Sequence, residues 1–186
     1  MKSKLPPPFD LYTDGDEGPA PVKDDRTFAR QIALQALYEI DCAEHEPMQV
    51  IDMHQRRQNP NRRASRYFRQ LVLGTWEHRF TTDEAIQRFA PEYPLDQIAI
   101  IDRNILRMAI YEFAVSRITP IGAAIDEAVE LAKQFGGEAA PAFVNGVLGS
   151  LADDQSTLDT LRLPDPPEPE GENADADEEL TDDDET

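Results

Sequence analysis

The chain has 186 residues, 37 acidic against 18 basic, a formal net charge of −19 and a mean hydropathy of −0.57. Its one cysteine, Cys42, excludes a disulfide framework and a cysteine-based zinc site, and suits a reducing compartment, most simply the cytoplasm. No apolar run is long enough to span a bilayer, and the opening MKSKLPPPFD lacks the apolar stretch of a signal peptide.

The charge is unevenly distributed. Twelve of the acids lie from Pro164 onward, where there is no Lys or Arg, so the rest of the chain carries only −7. Residues 1–24, with a PPP run and the turn pairs Asp14-Gly15 and Gly18-Pro19, read as a disordered leader. Residues 164–186 read as a disordered acidic tail, because prolines block a helix at its start and like charges repel along the remainder. Between them, residues 25–163 form one predicted helical domain.

The first helix is predicted over Asp25–Ala43, with Asp24 and Asp25 at its positive end. Ile32, Ala33, Ala36, Leu37 and Ile40 share one face, and Leu34 and Tyr38 lie off it. A short helix follows Pro47 through Val50, Ile51 and Met53, then a loop at Asn59-Pro60-Asn61. A third spans Arg63 to Phe80 with Tyr67, Phe68, Leu71, Val72 and Thr75 inward. Thr82 is placed as the cap of a fourth, carrying Ala85, Ile86 and Phe89. The fifth begins near Leu95-Asp96. One stripe holds Ile98, Ile101, Ile105 and Met108, and an opposite one Leu106, Ile110 and Phe113, the pattern of a central helix. Thr119 and Pro120 open the sixth as cap and first residue, with Ile121, Ile125, Ala128, Ala132 and Phe135 inward and Gly136-Gly137 as a left-handed close. A seventh covers Pro141–Ala152. The fold class is an all-α bundle of about seven helices with no convincing strand.

No catalytic constellation emerges. His45, His54 and His78 show no ligand spacing, and the polar surroundings of His45 and His54 place them on the surface. There is no phosphate-cradling glycine motif, and the crowded carboxylates fall in the tail. Neither a metal nor a cofactor is expected. Two features suggest binding instead. The stretch HQRRQNPNRRASRYFR, residues 54–69, holds six arginines and no acid, with Arg62, Arg66 and Arg69 on one helical side, which is the footprint of phosphate contacts. Leu34 and Tyr38, with Asp102 and Arg103 interrupting the central helix, give the aromatic-plus-charge character of a protein interface.

Four segments in order, RTFARQIALQALYEID, YFRQLVLGT, YPLDQIAIIDRNILRMAIYEF and TPIGAAIDEAVELAKQFGGEAAPAFVNGVLGSLA, make residues 26–152 resemble the NusB family of transcription antitermination factors. The resemblance implies two packed helical subdomains and a non-enzymatic role. It implies pairing with NusE, a small-subunit ribosomal protein, binding of single-stranded boxA RNA, and assembly with NusA and NusG on RNA polymerase to resist termination on ribosomal RNA operons. A homodimer without the partner is compatible with it. Arg26 and Arg30 match the family's arginine-rich helix start, although Thr27 and Phe28 stand where the family often has arginine. Phe143 matches an aromatic position near RNA, Lys133 a phosphate contact, and Tyr38 and Asp102 positions that face NusE. Two alternatives stand against this one, and the acidic tail sets the second aside. A protein-binding scaffold could keep the NusE-type pairing without RNA. The NusB-like domain fused to RNA cytosine methyltransferases would need a glycine-rich cofactor loop downstream, where the acidic tail is expected instead. The tail itself reads either as solubilising or as a competitor for the basic stretch.

Overall fold

The computed structural model describes residues 25–164. Eight α-helices follow one another: α1 Asp25–Ala43, α2 Pro47–Gln58, α3 Arg62–Glu77, α4 Arg79–Phe89, α5 Ile100–Ile110, α6 Ile121–Phe135, α7 Ala140–Ala152 and α8 Gln155–Leu161. A π-helical turn, Tyr111–Val115, prolongs α5. There is no strand among the described residues, and no helix there is long and apolar enough to cross a membrane.

Local chemistry sets several boundaries. Pro47 opens α2, where its missing N–H is no loss. Asn59 ends that helix at φ 44°, a left-handed conformation that asparagine tolerates, and its N–H returns to the Gln55 carbonyl. Asn61 then caps α3, its side-chain oxygen accepting from the Ala64 N–H at 2.9 Å.

Helix α5 is the central element, as its two apolar stripes predict. It packs against α1, α3, α4, α6 and α7, with Ile105, Leu106, Met108 and Ile110 fully buried. α1, α2 and α3 pack together on one side of it, and α4, α6 and α7 surround the rest. The close approach of α3 depends on Gly74. A Cβ there would lie 2.0 Å from the Tyr111 ring, so that ring occupies the space a side chain would need.

Several sequence expectations are corrected. α3 ends at Glu77, and α4 begins at Arg79, so Thr82 is interior and its hydroxyl bonds back to the His78 and Arg79 carbonyls. α5 begins at Ile100, after turns over residues 91–97. Thr119 does not cap α6, because its hydroxyl donates inward to Glu112 at 2.9 Å. Ile121 is exposed, and Ala124, Ala128, Leu131 and Ala132 form the buried stripe of α6. Gly136 is extended at φ −89°, not left-handed; it is needed for space, since a Cβ would lie 2.5 Å from the Ala140 Cβ. α8, seven residues with only Thr157 and Leu161 buried, is too short to leave a periodic signal. The expected leader and tail lie outside the described residues, apart from Pro164.

Candidate nucleic-acid and partner interface

The first turns of α1 carry two arginines with opposite fates. Arg30 points into the bundle and is 3% exposed. Its Nη2 lies 2.8 Å from Glu112 Oε1, its Nε bonds both Glu112 oxygens, and its Nη1 is 3.3 Å from Glu127. The Tyr67 hydroxyl donates to Glu112 and shares a hydrogen bond with Thr119. Burial alone would lower the Arg30 pKa, but the hydrogen bonds and charge of Glu112 outweigh it and raise it. Burial, reinforced by Glu112, pushes the Tyr67 phenol up to about 12. Arg30 is therefore a structural residue, held by a carboxylate from the π-helical turn, and the expectation that it contacts RNA is corrected. Sequence reasoning did not find this cluster. Its one signal was Glu112, the lone charge in the apolar run Met108–Val115.

Arg26, one turn earlier, stays outside. Its guanidinium lies over the Tyr67 ring at 5.1 Å, and it is exposed. The neighbouring Asp25 accepts from Asn61 Nδ2 at 2.6 Å, which joins the start of α1 to the start of α3. The arginines of α3 therefore continue the surface that Arg26 begins. Arg62, Arg63 and Arg66 are exposed, and Arg62, Arg66 and Arg69 line a groove of about 500 Å³ between α2 and α3. Arg56, Arg57, Arg62, Arg63, Arg66 and Arg69 have no carboxylate within ion-pair distance among the described residues. Thr27 and Phe28, the departures from the arginine-rich start, have structural uses: Thr27 donates to Glu127 at 3.0 Å, and Phe28 packs on the core.

A second surface lies at the far half of α1. Tyr38 is half-buried and borders a narrow recess with Leu34, Gln35, Ile101 and Phe135. Leu34, expected off the core face, is 2% exposed and belongs to the core, because α5 and α6 cover the side of α1 that the main stripe leaves open. It cannot offer a partner appreciable area. Asp102 sits beside Gly136, its Oδ1 2.9 Å from where a Cβ would be. That oxygen is buried with no hydrogen-bond partner, and so is Gln35 Nε2. Burial raises the Asp102 pKa, with no cation to offset it. Its neighbour Arg103 differs, being held by Asp41 at 2.9 Å.

The remaining expected residues are dispersed. Lys133 is exposed on α6 and pairs with Glu130 at 2.5 Å. Phe143 packs edge-on against Tyr93, centroids 5.3 Å apart, beside a groove of about 410 Å³ at the end of α4. His45 is exposed as expected, but His54 is buried, with Nε2 3.2 Å from Glu39, and burial lowers its pKa. Among the described residues no group of three His, Cys, Asp or Glu could hold a metal.

A helical bundle whose exposed arginines on α2 and α3 have no carboxylate partner among the described residues, and which keeps a half-buried tyrosine at a narrow recess of α1, has the character of a binding protein, one that acts by holding partners. Comparison with known proteins agrees. The NusB family profile matches residues 27–153. The chain is 42% identical over 124 residues to the transcription antitermination protein NusB of Roseiflexus castenholzii, covering 66% of this chain and 87% of that one. It is 40% identical over 131 residues to NusB of Bacillus subtilis, covering 69% and 95%. Among solved structures, T. maritima NusB superposes with a TM-score of 0.63 at 27% identity, covering 72% of this chain and 96% of that one. A crystal structure of antitermination factors NusB and NusE in complex with double-stranded RNA matches at a TM-score of 0.62 and 27% identity, covering 68% and 95%. The chain belongs to the NusB family of transcription antitermination factors, which are not enzymes.

Proposed function

We propose that this chain pairs with a NusE-type ribosomal protein in the cytoplasm, and that the pair binds boxA-type single-stranded RNA. With NusA, NusG and RNA polymerase it favours processive transcription of ribosomal RNA operons. The observation that carries the RNA half is the arginine surface running from Arg26 to Arg62 and Arg66, none of them ion-paired among the described residues, on a chain of net charge −19. Such a surface is solvated at little cost in the free chain and stays available to a polyanion. Lys133 and Phe143 would contribute a phosphate contact and a stacking ring. Tyr38 and Asp102 support the protein half, because each side chain is only half-buried and Asp102 has no ion pair among the described residues.

A salt titration of boxA-type RNA binding, with NusE present, tests this reading. Each phosphate neutralised contributes about −0.7 to the logarithmic slope for a single strand, so three to five contacts give a steep line. Phe143→Ala weakens the same complex. The second reading, a scaffold that pairs with NusE without RNA, is favoured by one observation: Arg30 is buried against Glu112, which halves the matched arginine start. A slope near zero selects it.

A further inference from the structure

We propose that the arginine surface continues along the outer face of α3 onto the first turn of α4 as a track for single-stranded RNA, with phosphates held at one end and bases stacked at the other. This rests on the reading that the chain binds single-stranded RNA, and extends its surface from Arg62 and Arg66 to an aromatic end.

Arg62, Arg66, Arg69, Leu73 and Trp76 recur at alternating spacings of four and three, so they lie along one face of α3. From Arg62 to Trp76 the helix rises about 21 Å. The first three residues have no carboxylate partner, and Arg69 reaches only Met48 Sδ, at 3.5 Å. Arg79 is drawn over the aromatic end. Its guanidinium lies 4.2 Å from the Trp76 ring centroid and 4.1 Å from that of Phe80, and its Nη1 donates to the Trp76 carbonyl at 2.7 Å. Phe80 is 67% exposed, and α4 is anchored by Thr82, Ala85 and Ile86. The fold therefore makes little use of an exposed ring with an arginine plane laid over it.

An arginine row leading to stacked aromatic and guanidinium planes is the combination that holds unpaired nucleotides without sequence preference. A duplex hides its bases and could use only the arginines. Aromatics and arginine also suit a protein partner, but this face has one aliphatic residue, Leu73, and a row of three arginines without carboxylates that a polyanion matches better. The acids of this face lie at the two ends, Asp25 on the Asn61 cap and Glu77 and Glu84 at the aromatic end; Asp52 lies one turn from Arg56, across on α2.

Trp76 is the only tryptophan in the chain, so its emission reports on this track. The full chain is titrated with a fluorescein-labelled oligouridine at low salt, reading anisotropy and tryptophan emission together. The track predicts quenching of Trp76 that saturates with the anisotropy curve. Arg66→Ala with Arg69→Ala lowers the magnitude of the salt slope by about 1.4. Phe80→Ala weakens binding at least about fivefold with helix content unchanged. If oligouridine binds, but Trp76 emission does not move and Phe80→Ala binds normally, the contact lies elsewhere. The track is then wrong and the proposed function survives. No binding of oligouridine or boxA-type RNA, with or without NusE, ends both. Quenching by a synthetic peptide of residues 165–186 but not by oligouridine assigns the face to an acidic peptide and overturns the RNA track.

Discussion

The arginines of this chain fall into two populations. Arg30, Arg103 and Arg107 are enclosed by carboxylates: Arg30 by Glu112 and Glu127, Arg103 by Asp41, and Arg107 by Asp41 at 3.0 Å and Asp83 at 2.6 Å. Those seven side chains tie α1 to α4, to α5 with its π-helical extension, and to α6. The arginines of residues 56–69 stand on the surface of α2 and α3 with no such neighbour. A buried charge must be paired or it costs several kcal/mol, whereas an exposed one is solvated at little cost and stays available to a ligand. The same residue type holds the fold together in one region and stands open to solvent in the other.

The largest effect should come from breaking the enclosed set. Glu112→Ala leaves Arg30 buried beside Tyr67 with only the longer contact to Glu127, and should destabilise the domain by about 3–5 kcal/mol in chemical denaturation. A loss below about 1 kcal/mol would mean that Arg30 swings out to solvent, and the two populations would merge. Next comes alkaline pH. With the folded Tyr67 phenol at about 12 and an unfolded value near 10, its contribution is complete below about pH 10. It is lost as pH rises through 12, at most about 3 kcal/mol. Denaturation midpoints between pH 9 and 12 measure it, and a flat profile would contradict the buried phenol.

Asp102→Asn sharpens the contrast between buried charges that have partners and the one that does not. A carboxylate whose pKa burial has raised works against folding above that raised value, so the amide should increase the melting temperature of the free chain. The same change should weaken NusE-type binding about tenfold, because the partner loses an ionic acceptor. Tyr38→Ala should weaken the partner without the gain in melting temperature. A smaller effect is expected from truncation at Pro164. If the twelve acids compete for the exposed arginines, removal tightens RNA binding a few-fold at low salt, and the gain vanishes at high salt. Equal affinities at low salt would leave the tail a solubilising one. The smallest effect should be on stability when Arg62, Arg66 and Arg69 are all changed to alanine: within about 0.5 kcal/mol, since none is enclosed.

Most helices were legible because each is amphipathic and short-range signals mark its ends. Asn59-Pro60-Asn61 and Pro47 are local chemistry, and the structure breaks the helices where they predict. The misplaced starts share one cause. Thr82 and Thr119 have the composition of caps, but each hydroxyl found a better acceptor, one in the preceding turn and one in Glu112. Leu34 failed for a related reason: a helical wheel shows one main stripe, and cannot show that a second helix covers the next. Of the binding surfaces, the arginine stretch and the pair Tyr38 and Asp102 were visible as departures from apolar periodicity. The platform of Trp76, Arg79 and Phe80 was not, because it straddles two helices whose junction sequence reasoning placed three residues late.

By itself the sequence determined the all-helical class, the central position of α5, the concentration of acid at the ends and, through four ordered segments, the family. These follow from short-range periodicity and from composition, which do not depend on how the helices meet. Only the tertiary structure decided which arginines are enclosed and hold the fold and which stand on the surface. Arg26 and Arg30 stand one turn apart on the same helix and look alike locally. The carboxylate that separates them, Glu112, lies 82 residues away in sequence and reaches Arg30 only once the π-helical turn has brought it under α1.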